Sequence, residues 1–224
     1  MTIAIHQPNF IPWIGFFYKI KHCDLFVLLD DVQYTKNSLI NRNKIKTVTG
    51  EQWVTMPVFH SGNFGQNINE TLLIQFERHY SKFLRALQIS YSKAPFFSDI
   101  LPLLTIDDYS CDFLSELNEL LIRRIANYLE ILTPIRKSSV LPNIEGHSTT
   151  RLISICKHFG ADSYLAGFGG KNYQDDELFR LSGIEPFVSD FKYPHYKQLY
   201  GPFIPNLSVV DVLMNNGKDS TLFI

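Results

Sequence analysis

The sequence predicts an α/β fold: an open, mainly parallel sheet flanked by helices and carrying a β-hairpin and a helical insertion. Three observations predict it. An apolar run ending in His6-Gln7-Pro8 and a second ending in Asp30-Asp31-Val32-Gln33 are separated by an amphipathic stretch opened by Pro12, which reads as strand, helix, strand. A later segment has the same alternation, since Ser148-Thr149-Thr150 can cap a helix with Leu152, Ile153, Ile155, Cys156 and Phe159 on its apolar face. Gly160 ends that helix and residues 161–167 read as a buried strand. Finally, 224 residues with a hydrophobic fraction of 45% suffice for a full core in a single α/β domain over residues 1–224.

In an open parallel sheet the ligand crevice lies beyond the carboxyl ends of the strands, so His6, Gln7, Asp30, Asp31 and Gln33 are expected on one rim. The same residues also serve turns, with His6 capping the turn after its strand and Asp30 accepting backbone donors. Next, Lys44 to Thr49, Gly50, and Gln52 to Phe59 read as a β-hairpin, and Ser61-Gly-Asn-Phe-Gly65 as a loop. Ile68, Leu72 and Ile74 suggest another short strand.

The helical insertion spans about 78–130, with one helix from His79 to Tyr91, one after Pro95, and a long one from Ser110 to Leu129. Phe113, Leu114, Leu117, Leu120, Leu121 and Ile125 share a face of the last, which reads as core. Arg123 and Arg124 near its end complement the helix dipole and need no ligand.

After the strand at 161–167 comes Phe168-Gly169-Gly170-Lys171-Asn172-Tyr173. Its glycines allow backbone amides to approach a ligand, and Lys171 supplies a point charge suited to phosphate or carboxylate; a tight turn with a solvated lysine fits as well. In the tail, Tyr193, His195 and Tyr196 offer flat faces for a sugar or a nucleobase, or an aromatic lid on the core. Ser208 is placed to cap a last helix, with Asp211 closing a box-like cap, a structural role.

The 21 basic and 22 acidic residues nearly cancel and leave no basic stripe, which argues against nucleic acid as a partner. Cys23, Cys111 and Cys156 are odd in number and lack metal-ligand spacing, so they read as reduced core residues of a cytoplasmic protein. No signal peptide and no membrane span of about 18 apolar residues is visible. His6, Asp30 and Asp31 match a divalent-ion site in type, but adjacent strand residues face opposite ways, so only one aspartate joins His6. General acid or base work by His6 fits better, with an aspartate holding the imidazole pKa near working pH. No motif identifies a cofactor, and a homo-oligomer is left open.

The motifs also carry a resemblance. His6-Gln-Pro-Asn-Phe-x-Pro-Trp-x-Gly-Phe-Phe-x-Lys19, Asp30-Asp-Val-Gln33, Asn41-Arg-Asn43 and Leu207-Ser-x-x-Asp211-x-Leu213 resemble the WbqC-like family of bacterial proteins over nearly the whole chain. The family is associated with gene clusters for surface polysaccharide, including O-antigen and thus lipopolysaccharide, and some members are suspected transferases. What the resemblance implies is a small-molecule transferase that moves an acyl or aminoacyl group onto an amino sugar or sugar nucleotide. His6 would be the base, with Asp30 orienting it and Asp31 beside it. Gln7, Asn9, Trp13, Gln33, Asn41, Arg42, Tyr173 and His195 would bind substrate, and Gly169, Gly170 and Lys171 would hold a phosphate. The alternatives are a non-catalytic sugar-nucleotide or glycan-binding partner of the assembly machinery, and a nucleotidyltransferase. For the last, Gly170-Lys-Asn-Tyr-Gln174 looks like the Lys-Asp-Tyr-Gln loop of pantothenate synthetases, but Trp13-Ile14-Gly15-Phe16 stands where those enzymes carry His-x-Gly-His. Both imidazoles for a triphosphate are absent.

Overall fold

The chain forms β1 (Thr2–His6), α1 (Ile14–Lys21), β2 (Leu25–Leu28), a hairpin of β3 (Arg42–Thr47) and β4 (Gly50–Thr55), then α2 (Phe76–Tyr91), α3 (Phe97–Leu104) and α4 (Leu114–Tyr128). It continues through β5 (Ile135–Lys137), α5 (Ser148–His158), β6 (Ser163–Ala166), α6 (Asp176–Leu181), β7 (Glu185–Val188) and α7 (Val209–Asn216). These elements come from a computed structural model that describes residues 1–59, 65–106, 111–167 and 174–224.

Five strands make one parallel sheet in the order β5-β2-β1-β6-β7. The chain steps outward from β1 through β2 to β5, then returns to the other side of β1 for β6 and β7. The order therefore reverses between β1 and β6, and in a doubly wound sheet that reversal opens a crevice beyond the strand ends. His6 and Gln7 stand at the end of β1 and Gly167 just past the end of β6.

Both sheet faces are covered, which is why the central strands read as continuous apolar runs. Ile3, Ile5, Leu25, Val27, Tyr164 and Ala166 pack with Ile153, Cys156 and Phe179 of α5 and α6. On the other face, Ala4, Phe26, Leu28 and Leu165 pack with α1, the insertion helices and α7.

The hairpin forms as expected, Thr47 opposite Gly50. The short strand expected from Ile68, Leu72 and Ile74 does not. Residues 68–70 make a 3-10 turn, and only isolated bridges, Leu72 to Phe113 and Val58 to Leu73, follow. Nor does Ser148 cap α5: His147 does, boxed with Thr150.

Residues 7–13, between β1 and α1, are irregular yet mostly buried, so their backbone polar groups need partners from elsewhere. Asparagines supply them. Asn118 Nδ2 donates to Pro8 O and Ile40 O, both at 2.8 Å, and Asn43 Nδ2 donates to Phe10 O at 3.2 Å and Ile11 O at 2.8 Å. Ser208 Oγ donates to Ile11 O at 2.7 Å, and the Val209 amide to Pro12 O at 2.8 Å. Ile11 has a φ of 39°, a left-handed backbone costly for a β-branched residue, and these bonds hold it there.

The last helix is anchored by its buried carboxylate. Asp211 accepts from Tyr91 Oη at 2.9 Å and Tyr196 Oη at 2.7 Å, while Ser208 caps the helix through the Val210 amide. Beside this cluster, the Lys46 ammonium donates to Gln198 Oε1 at 2.9 Å and Pro202 O at 2.6 Å. Asp211 is structural, as the spacing predicts, although it bonds two tyrosines where a cap box was expected.

Candidate functional site

His6 continues the face of β1 that meets α1, and its ring stands edge-on to Phe16 with centroids 5.0 Å apart. Its Nδ1 lies 2.9 Å from Gln7 O, and a carbonyl only accepts, so Nδ1 carries the proton and Nε2 the lone pair. Burial, followed by the nearby Lys19 charge, lowers the imidazole pKa to about 4. The ring is thus neutral at pH 7, and the expected aspartate partner that would hold its pKa near working pH is not there.

Asp30 and Asp31 are engaged elsewhere. Asp30, 1% exposed, accepts from the Ser139 amide at 3.0 Å and Ser139 Oγ at 2.7 Å. Asp31 accepts from Ser138 Oγ at 2.5 Å and pairs with Arg151. Both residues lie past the end of β2, where strand alternation no longer sends neighbours to opposite faces, so Ser138 reaches both. They tie β2 to the end of β5 and to α5. This corrects the assignment of Asp30 as orienter of His6.

Lys19 is the group that sequence reasoning passed over. One turn after Gly15 on α1, it is only 4% exposed and its ammonium donates to Ile5 O at 3.3 Å. No ion pair neutralises it among the described residues, and burial lowers its pKa to about 8. The signal was present: a lysine beside Phe16, Ile20 and Cys23 on the apolar side of a helix is out of place unless it serves a site.

Lys19 forms the floor of a cavity of about 270 Å³ on the α1 side of the crevice, walled by Trp13, Phe191 and Tyr193 and edged by Ser189 and Asn206. The Trp13 and Tyr193 rings are parallel, with centroids 6.1 Å apart, and Phe191 stands edge-on to Trp13 at 5.2 Å. Gly15 makes room for the indole, since a Cβ there would lie 2.3–2.8 Å from the Trp13 ring. On the α5 side, a second cavity of about 260 Å³ is lined by Gln7, Ser148, Thr149, Arg151, Tyr164 and Gln174, among others.

Of the other sequence-predicted residues, the structure brings Gln7 and Trp13 to these cavities. Asn9 is buried at 5% exposure, and Gln33 is exposed in a bridge to Asn67. Asn41 Nδ2 donates to Met56 O at 2.9 Å, while its buried Oδ1 has no hydrogen-bond partner among the described residues. Arg42 lies 4.3 Å over the Trp53 ring and donates from one Nη to Asn37 O at 2.5 Å, so one face and one edge of its guanidinium have protein partners. His195 is exposed against Phe203 and lines neither cavity. Gly169, Gly170, Lys171 and Tyr173 lie outside the described residues. Among the described residues no three His, Cys, Asp or Glu side chains gather as a metal site, and no helix is long and apolar enough to cross a membrane.

Two predictions follow from this geometry. His6 is buried neutral while its unfolded counterpart titrates near 6.5, so stability is expected to fall as pH drops from 6.5 to about 4, by on the order of 3 kcal/mol. His6→Gln should flatten that slope in urea titrations at stepped pH; an unchanged slope would contradict the buried neutral ring. Gly15→Ala should leave stability within about 1 kcal/mol, because alanine favours helix. Its Cβ should nevertheless displace the indole, visible as a changed Trp13 fluorescence in a Trp53→Phe background.

A model of the WbqC-like protein family matches residues 7–222. The uncharacterized protein Rv1507c of Mycobacterium tuberculosis is 37% identical over 222 residues, covering 97% of this chain and 95% of its own length. No solved structure matches.

Proposed function

The chain belongs to the WbqC-like protein family, and from that premise and the crevice geometry we propose that it is a transferase of bacterial surface polysaccharide biosynthesis, moving an acyl or aminoacyl group onto an amino sugar or sugar nucleotide. The observation that carries the reading is the cavity walled by Trp13 and Tyr193 on the α1 side of the β1–β6 reversal; His6, with an unprotonated Nε2, ends β1 at that reversal but does not itself line the cavity. Aromatic faces suit the C–H surface of a pyranose, and the polar edges Ser189 and Asn206 suit its hydroxyls. The pathway and the acyl donor come from the family resemblance.

In this reading the sugar nitrogen attacks the donor carbonyl, a C–N bond forms, and the donor's leaving group departs. Attack makes the nitrogen cationic and its proton acidic, and in this reading His6 Nε2 is the base that accepts it. Gln7 and Arg151 on the α5 side position the carrier. Gly169, Gly170 and Lys171, which follow Gly167 in the chain, keep their proposed phosphate role.

The test combines ligand-induced stabilisation with turnover. A nucleotide-linked amino sugar should raise the melting temperature of the wild type, and Trp13→Ala should abolish the shift. His6→Ala should keep the shift and lose turnover. Loss of affinity in His6→Ala, with no turnover by the wild type for any acyl donor, would favour the non-catalytic sugar-binding partner. No shift with any sugar nucleotide would overturn both.

A further inference from the structure

An ammonium has three donors, and among the described residues Lys19 makes one long bond, to a backbone carbonyl. A buried charge normally comes with a counter-charge, yet among the described residues no acidic side chain lines this cavity. Asp190, next in sequence to the wall residues Ser189 and Phe191, is turned to the Tyr18 hydroxyl at 2.5 Å. The titratable neighbours do not neutralise it either: His6 is uncharged at pH 7, and burial pushes the Cys23 thiol up to about 12. Lys19 and Gly167 both line the cavity, and a Cβ at Gly167 would come into van der Waals contact with the amine, 3.7 Å from Nζ. Positive charge at the floor, flat aromatic walls and hydroxyl-binding edges define a ligand by complement.

We propose that this cavity is a carboxylate subsite, binding a one-ring sugar acid of the uronate class with its carboxylate on the Lys19 ammonium and its ring against Trp13. A volume of about 270 Å³ fits a single compact ring. The inference rests on the reading of this crevice as the substrate site and names the charge of what it takes. Charge-assisted hydrogen bonding to a desolvated ammonium gives the acid its advantage over a neutral sugar of the same shape.

The test compares D-glucuronate and D-galacturonate with D-glucose and D-galactose, by saturation-transfer NMR and thermal shift at pH 7. Wild type is expected to bind at least one acid about ten- to a hundredfold more tightly than its neutral counterpart. Lys19→Met should erase that preference, and Lys19→Arg should retain part of it. The melting curve of Lys19→Met without ligand shows that the variant is folded. Equal binding of acids and neutral sugars, or a preference for acids that survives Lys19→Met, would overturn the carboxylate subsite while leaving a sugar site in place. Failure of both acids to bind also overturns it, and if the sugar nucleotides likewise give no shift, the reading of the crevice falls with it.

Discussion

Replacing Asp211 by alanine is expected to lower the unfolding free energy by about 3–5 kcal/mol, measured by urea denaturation at pH 7. The carboxylate is 0% exposed and accepts the hydroxyl protons of Tyr91 and Tyr196, both buried. Truncation strands both hydroxyls away from water, leaves a void beside them, and removes the negative charge that partly offsets the buried Lys46. Asp211→Asn keeps one carbonyl acceptor and should cost clearly less. A loss below about 1 kcal/mol for the alanine variant would mean that the tyrosines find other acceptors or water.

Lys19→Met should move stability the other way, by about 3 kcal/mol at pH 7. Burial lowers the Lys19 pKa from 10.5 to about 8, so the folded state bears the cost of a desolvated charge that the unfolded chain avoids. The sign fixes the pH window. The cost is fully present below pH 8 and fades as pH rises toward 10.5, where the unfolded lysine also loses its proton. The advantage of Lys19→Met over wild type should therefore be largest near neutrality and close to zero above pH 10.5, in denaturation curves taken at both ends. A destabilised variant at pH 7 would show that the ammonium has a stabilising partner. Residues that stabilise the fold when removed tend to be retained for function.

Much of the architecture was legible because it rests on local pattern. The strand-helix-strand opening, the hairpin and the capped last helix announce themselves through apolar periodicity, Gly50 and Ser208. The two edge strands did not: β5 has three residues, and β7 carries Pro186, a residue confined to sheet edges. The site was legible in position but only partly in its residues. Knowing that strands end at the crevice put His6 and Gln7 at the end of β1, where they stand, but sequence could not foretell that Ser138, Ser139 and Arg151 would occupy Asp30 and Asp31. Those partners come from far along the chain. Asn43 and Asn118 show why such residues are hard to read: a polar side chain that satisfies buried backbone resembles, in a string of letters, one that awaits a ligand.

The strand order also bears on how the molecule comes into being. β1 precedes the other described elements in the chain yet is the middle of the finished sheet, and one of its two neighbours, β6, is made only after the hairpin and four further helices. Until then one edge of Ile3-Ala4-Ile5 has no strand beside it, an apolar edge able to pair with another chain. Folding thus depends on closing a long loop, which slows it, and chains interrupted before residue 163 should be prone to aggregation. The crevice then forms only after β6 has joined β1, since its two lips come from segments far apart in the chain.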